Sequence, residues 1–420
     1  MKALIRISIV FWAMVARGYL PFAAWQLVVA GASFAFFASA QGRLQEPTQQ
    51  GETTLIEVTE VPERMDAEPA RRALERALAW IIAGQHPDGT WGVFVPTDLL
   101  ELDFASESYY DWNLASNFLV LLALMECEET PERRAALERG MRAACEKRMT
   151  LRGDDWDNDQ MWTALYATVS LTRAAEDERL RSEPLRSLIH ERGRQYAEVL
   201  GRFQVIEGGW GYYDNPPFTH RPKSATSFST ACVVPALAKA LELGWIEDPS
   251  LVQRAIRYVD RCRLPNGAYQ YHLDPIASLQ GGEHYNEVQG SLGRIQVCNW
   301  ALATVGVGKI TTDLLREGLN HFFEEHRFFD AARLRPVPHE AYFSNAGYYY
   351  FFGHYYAALV INLLPFAERE DLHARLRTHL VKAMRADGSC TDFLGAQYDV
   401  LASTAFLALA LDAGLEKSSR

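Results

Sequence analysis

The chain has 420 residues, a formal net charge of −11 and an aromatic share of 12%. That balance is ordinary for a globular protein and excludes a basic nucleic-acid footprint, so no nucleic-acid partner is expected. The length would hold two or three average domains, yet one ring of about a dozen helices fills it as a single unit.

Residues 1–40 carry Lys2, Arg6 and Arg17 but no acidic residue, and run through an apolar stretch to Ala38-Ser39-Ala40 before Gln41. This is a signal-peptide pattern that predicts cleavage after Ala40 and export to a periplasmic or secreted location. The stretch 20–40 is also about long enough to span a bilayer, so the alternative is an uncleaved N-terminal anchor, the one membrane association expected. Polar, Pro-containing residues 41–64 read as a flexible linker, 65–415 as the folded domain and 416–420 as a polar tail. Cys127, Cys145, Cys232, Cys262, Cys298 and Cys390 show no close spacing and read as buried small apolar side chains rather than a disulfide framework or a zinc site.

Apolar periodicity predicts an all-α domain of twelve helices in six pairs: 68–84 with 113–127, 131–148 with 158–175, 180–203 with 224–244, 249–262 with 287–305, 311–327 with 345–364, and 368–385 with 397–413. The first member of each pair keeps its charges on one side, as a helix with one face in water does. The second member is apolar nearly all round, as in residues 229–243 and 401–413, and must be covered on every side. An inner ring within an outer ring follows. The long connections, 85–112, 204–223, 263–286 and 328–344, all lead into inner helices and so gather at one end, which is where a site belongs.

The most distinctive stretch is 76–92, an amphipathic helix followed by Gln85, a Pro87-Asp88-Gly89 turn and Trp91. It resembles the Gln-Trp repeat of squalene and hopene cyclases. The full form is read once, with weaker echoes at 194–212, 254–269 and 372–389 that keep the helix and the Gly turn. The resemblance implies the prenyltransferase and terpenoid-cyclase type of α6/α6 toroid, here a single toroid.

Chemistry is sought at the starts of the inner helices. Asp154-Asp155-Trp156-Asp157-Asn158-Asp159 crowds carboxylates together, which raises their pKa values and lets one act as an acid; Asp155, Asp157 and Asp159 are the candidates. In class II terpene cyclases an Asp-x-Asp-Asp acid precedes Thr-Ala. Here Asp155-Trp156-Asp157 is interrupted by Asn158 before Asp159, and Thr163-Ala164 lies further on, so helix capping is the competing explanation. Asp111, after Tyr109 and Tyr110 and before Trp112, is expected either to face Asp157 as a second carboxylate or to cap the first inner helix. His284, Tyr285 and Arg294 form a set able to move a proton, as in toroidal polysaccharide lyases, and a guanidinium at Arg294 calls for a carboxylate such as Asp111, Asp157 or Asp399. Trp112, Trp156, Trp162, Trp300, Tyr348, Tyr349, His354, Tyr355 and Tyr398 are expected to line an aromatic cavity with Asp399 at its rim. The spacings of magnesium, calcium and zinc sites are not met, so no metal and no cofactor are expected.

Two functions of different kinds follow. The resemblance implies a hydrophobic, isoprenoid-like ligand transformed by an Asp acid, whereas export and the His284, Tyr285 and Arg294 set favour a glycan ligand and a hydrolase or lyase. A toroid that binds a partner without catalysis is the third reading.

Overall fold

A computed structural model describes residues 63–96, 106–150, 159–212, 224–273, 284–394 and 397–415. The expected leader, most of the expected linker, the expected tail, and Asp155, Trp156 and Asp157 lie outside these residues. The described residues form thirteen α-helices and no strand: α1 Ala67–Ala83, α2 Ser106–Glu126, α3 Pro131–Glu146, α4 Gln160–Glu176, α5 Leu185–Phe203, α6 Ser227–Glu242, α7 Ser250–Arg261, α8 Leu292–Thr304, α9 Thr312–Glu324, α10 Arg327–Ala332, α11 Tyr349–Ile361, α12 Phe366–Lys382 and α13 Gln397–Ala413. Among them no helix is long and apolar enough to cross a membrane.

Helices α2, α4, α6, α8, α11 and α13 each pack on the next, and α13 packs back on α2, closing an inner ring. Their burial on all sides explains why they lack a charged face: in α2 every residue from Asn113 to Met125 is buried. The outer helices α1, α3, α5, α7, α9 and α12 bury only one stripe, such as Leu251, Val252, Ala255, Tyr258 and Val259 of α7. The expected α6/α6 toroid is therefore the fold. The pairing differs from the expected one, because each inner helix packs chiefly on the outer helix that follows it, and α1 packs on α13. Short links make antiparallel hairpins, and the links from inner to outer helix are the short ones. The sixth hairpin is thus assembled from the two ends of the domain. All six cysteines are free and buried.

The Gln-Trp turn occurs twice in full, not once. Gln204 and Trp210 keep the spacing of Gln85 and Trp91, and each Trp Nε1 donates into its preceding outer helix, Trp91 to the Ile81 carbonyl at 2.7 Å and Trp210 to that of Leu200 at 2.9 Å. Gln85 Nε2 bridges the Gly89 and Ala136 carbonyls at 3.0 and 2.9 Å, and Gln204 Nε2 bridges those of Gly208 and Leu251 at 2.7 and 2.9 Å. Each turn therefore ties one outer helix end to the next outer helix. The turns at Gly267 and Gly388 share the geometry, with φ of 92°, 114°, 82° and 95° at Gly89, Gly208, Gly267 and Gly388. In all four, the residue two beyond the Gly donates its amide to a polar side chain on, or just before, an inner helix: Asn117, Thr230, Ser291 and Thr404. This registers the inner ring against the outer one.

Candidate active site at the mouth of the ring

First-turn residues of the inner helices meet one another, so the six starts share one end of the toroid. Helix α2 begins at Ser106, seven residues before the expected boundary, so Asp111 lies inside its second turn and is not an N-cap. Its fully buried carboxylate accepts from the Thr163 hydroxyl of α4 at 2.9 Å and from the amide and hydroxyl of Thr150. Asp111 thus clamps α2 to α4. Trp112 packs on Tyr398 of α13 with centroids 4.9 Å apart and planes tilted by 33°, and both are half-buried, a platform on which a ring could lie. Asp159 is the buried residue that starts α4, and it makes no capping hydrogen bond with its side chain.

Below the rim the lumen is packed rather than open. Phe228 of α6 meets Trp162 of α4 at 5.9 Å, Tyr349 of α11 at 5.2 Å and Phe352 at 6.0 Å, while Phe406 of α13 meets Tyr166, Phe352 and Tyr355 at 6.0, 5.9 and 5.7 Å. Contacts between α6 and α11, and between α4 and α13, span helices that are not neighbours in the ring, so these rings form a floor. Of the residues expected to line a cavity, Trp162 and Tyr349 both meet Phe228 and Tyr355 meets Phe406, so they pack into this floor. Trp300 lies far along α8 against Tyr356, and His354 points outward to His326, Phe322 and His379 between the two rings. Neither belongs to the mouth.

Two groups of ionisable residues stand at the inner-helix starts. The first is a carboxyl pair that includes Asp392, which the sequence reading passed over. Asp399 Oδ2 accepts from the Thr391 hydroxyl at 2.5 Å, the amides of Asp392 and Phe393 at 3.2 and 3.1 Å, and the Ser403 hydroxyl at 3.3 Å. These donors favour the anion, yet burial outweighs them and raises the Asp399 carboxyl above its ordinary range. Asp392 accepts one bond, from the amide of Phe351 at 3.2 Å, and its other oxygen is buried without a partner. Burial and the neighbouring Asp399 push the Asp392 carboxyl well above its ordinary range, so it keeps its proton. The pair lies between α11 and α13.

The second group centres on Tyr271. Arg294, only 2% exposed, sends Nε to the Tyr269 carbonyl at 3.2 Å and Nη2 to the Tyr285 carbonyl, with its guanidinium carbon 5.4 Å from the centre of the Tyr271 ring. The expected carboxylate partner is absent among the described residues: backbone carbonyls and a ring face stand in its place. His284 stacks on Tyr285 at 4.3 Å and its Nδ1 accepts from the Asn286 amide at 3.1 Å, which leaves the Nε2–H of the neutral ring as a donor. His272 also packs on Tyr285, with centroids 6.2 Å apart. His339 approaches Tyr271 at 5.9 Å; its Nδ1–H donates to the Ser344 carbonyl at 2.7 Å, so Nε2 accepts from the Tyr348 hydroxyl, also at 2.7 Å. Desolvation holds His339 below its ordinary value and Tyr348 well above, which keeps both neutral. Four non-glycine residues with positive φ, Leu334, His339, Phe343 and Ser344, cluster in this one loop, a concentration of backbone strain that marks functional segments.

No family model matches the chain, and no curated protein matches it. Solved structures do. An alpha-1,6-mannanase variant from Salegentibacter sp. HEL1_6, in complex with alpha-1,6-mannotetrose, is 11% identical with a TM-score of 0.53, covering 82% of this chain and 98% of that one. A D-mannose isomerase is 10% identical with a TM-score of 0.50 over 82% and 95%. A type II terpene cyclase from Scytonema is 12% identical with a TM-score of 0.46 over 83% and 98%. At these identities the likeness is one of fold: the chain is an α/α toroid, and its chemistry rests on its own residues.

Proposed function

We propose that the protein binds an acidic glycan at the mouth of the toroid and cleaves it by proton abstraction next to the sugar carboxylate, a lyase reaction. The observation that carries this reading is Arg294, a buried cation with no carboxylate among its partners in the described residues. Such a group is costly unless an anion arrives, and the substrate supplies it. Around it stand Tyr and His side chains suited to proton transfer, and the Trp112 and Tyr398 platform offers a stacking face for a sugar.

In this scheme Arg294 neutralises the substrate carboxylate and so acidifies the adjacent C–H. Tyr348 hands its hydroxyl proton to His339 Nε2 as it takes the proton from that carbon, and the electron pair forms a carbon–carbon double bond. The glycosidic C–O bond breaks, and the leaving oxygen takes a proton from the Tyr348 hydroxyl, which recovers one from the His339 imidazolium, so that both groups end as they began. The test is to incubate the full chain with uronate-containing and neutral polysaccharides and follow the ultraviolet absorbance of a double bond conjugated with a carboxylate. Tyr348→Phe should lower the rate by about 10²- to 10⁴-fold, and Arg294→Gln should abolish turnover of acidic glycans. Turnover of neutral glycans at an equal rate, or an active Arg294→Gln, would refute the reading.

A second reading, an isoprenoid-like substrate protonated by an Asp acid, draws support from the aromatic floor and from the proton held by the Asp392 and Asp399 pair. It expects bound lipid in native mass spectra of the purified chain, with Asp392→Asn inactive and Arg294→Gln active.

A further inference from the structure

Away from the mouth, between the two rings, three histidines and one aspartate converge. His326 precedes α10, Asp330 is one turn further, His354 is on α11 and His379 is in the last turn of α12. The ligating atoms of His326, Asp330 and His379 lie within 4.8 Å of one another. The mouth uses none of them.

The hydrogen bonds decide what this cluster lacks. His354 Nδ1 lies 2.7 Å from the Tyr350 carbonyl, and a carbonyl only accepts, so Nδ1 carries the hydrogen and Nε2 of the neutral ring is bare. That bare nitrogen lies 2.9 Å from His326 Nε2, which must then be the N–H donor. His326 Nδ1 of the neutral ring is left with a lone pair, and it faces Asp330 Oδ2 at 3.1 Å. A lone pair against a carboxylate oxygen repels unless a positive centre sits between or beside them. The His379 ring stacks on the His326 ring, with centroids 3.6 Å and planes 26° apart, so its nitrogen joins the set once the His379 ring turns out of the stack.

We propose that His326, Asp330 and His379 bind a divalent first-row transition ion of the zinc type. Two imidazoles and one carboxylate are a nitrogen-rich set that suits zinc or cobalt over magnesium or calcium. In a tetrahedral zinc site with bonds of about 2.0–2.1 Å, donors lie about 3.3 Å apart. Closing from 4.8 Å is within reach of side-chain rotation at Asp330, whose side chain is 55% exposed, and at half-buried His379. His354 is a positioning residue: it accepts from His326 Nε2 and fixes which His326 nitrogen faces the ion, as the outer partners of metal-bound histidines do. The exposed side of Asp330 leaves the fourth position to water. Such an ion would tie α10, and the strained loop that follows it, to α12.

The test uses the full chain, stripped with chelator and titrated with zinc chloride by calorimetry and with cobalt chloride by visible absorption. One equivalent should bind, cobalt should give the spectrum of a four-coordinate ion, and the zinc-loaded protein should melt higher than the stripped one. Asp330→Asn, at an exposed position that does not threaten folding, and His379→Ala should each abolish stoichiometric binding, and His354→Gln should weaken it by about 10- to 100-fold. His284→Ala, at the mouth, should leave it unchanged. A wild-type chain that binds no ion would show that a proton alone, on His326, satisfies Asp330, and would overturn the proposal. Binding that survives Asp330→Asn and His379→Ala would do the same.

Discussion

The second full Gln-Trp turn can be tested by removing its glutamine. Gln204 Nε2 donates to the carbonyls of Gly208 and Leu251, and its Oε1 accepts from Arg254 Nε at 2.7 Å. Gln204→Ala removes all three bonds and leaves two half-buried carbonyls to whatever water can reach them. At about 1 kcal/mol for each neutral bond, and with Arg254 retaining its bond to Ser250, the loss should be about 2–3 kcal/mol. Gln85 makes the same three bonds, to Gly89, Ala136 and Arg139, so Gln85→Ala should cost the same. Arg263 occupies the corresponding place in the third turn and makes no side-chain hydrogen bond among the described residues, so Arg263→Ala should cost less than about 0.5 kcal/mol. Urea unfolding followed by tryptophan fluorescence measures all three, with the midpoint expected to fall and the slope to hold. The equivalence of the two turns is refuted if Gln204→Ala costs less than a third of what Gln85→Ala costs. Near-wild-type stability in both would refute the claim that these bridges hold one outer helix to the next.

The turn glycines and the carboxyl pair give two further expectations. Gly208 sits at φ 114°, and a Cβ there would lie 2.4 Å from the Arg254 carbonyl oxygen, so Gly208→Ala should destabilise by more than about 1 kcal/mol, read from the same urea curves; an unchanged midpoint would contradict the turn geometry. Asp392 has a folded-state pKa raised by burial and by Asp399, so the native protein holds a proton that the unfolded chain releases above the ordinary carboxylate range. Stability contributed by this group is full below the ordinary value and falls as pH rises toward the raised one. Asp392→Asn should therefore flatten the loss of stability between pH 4 and 7, and a variant with the wild-type pH dependence would show that Asp392 is ionised in the folded protein.

The toroid was legible because burial on every side leaves a mark that composition carries directly: α6 and α13 have no charged face, and their alternation with one-faced helices along the chain suits an inner ring covered by an outer one. The pairing was not. It depends on which neighbour a helix packs against, and the short inner-to-outer links were the only signal, overridden by the order in which the chain presents an outer helix first. The second Gln-Trp turn was hidden for a different reason. Gln204-Val205-Ile206-Glu207-Gly208-Gly209-Trp210 lacks the Pro-Asp of the first copy, yet the spacing from Gln to Gly to Trp is the same. Spacing carries the hydrogen bonds, whereas the turn residues between need only permit them.

At the mouth, the residues that sequence reasoning found and those it missed differ in where they sit. Arg294 stood out because a cation is conspicuous in an apolar helix, but its partners are the backbone carbonyls of Tyr269 and Tyr285, which carry no side-chain signature. Tyr271, His339 and Asp392 all lie in the segments that lead into inner helices, where no period exists to set a functional residue apart from its neighbours. The one available cue was the length of those segments. A loop of that length wedged against an inner-helix start must satisfy its own polar groups, and the Tyr348, His339 and Ser344 chain of hydrogen bonds does so while leaving a hydroxyl coupled to a neutral imidazole. The same arrangement that settles the loop also sets up a proton path. For that reason a disrupted loop and a lost catalytic group would look alike in His339→Ala, and His339→Gln with Tyr348→Phe beside it is the comparison that separates them. Glutamine can keep the loop's hydrogen bonds but cannot take a proton, so a folded, inactive His339→Gln supports the relay and a folded, active one removes His339 from it.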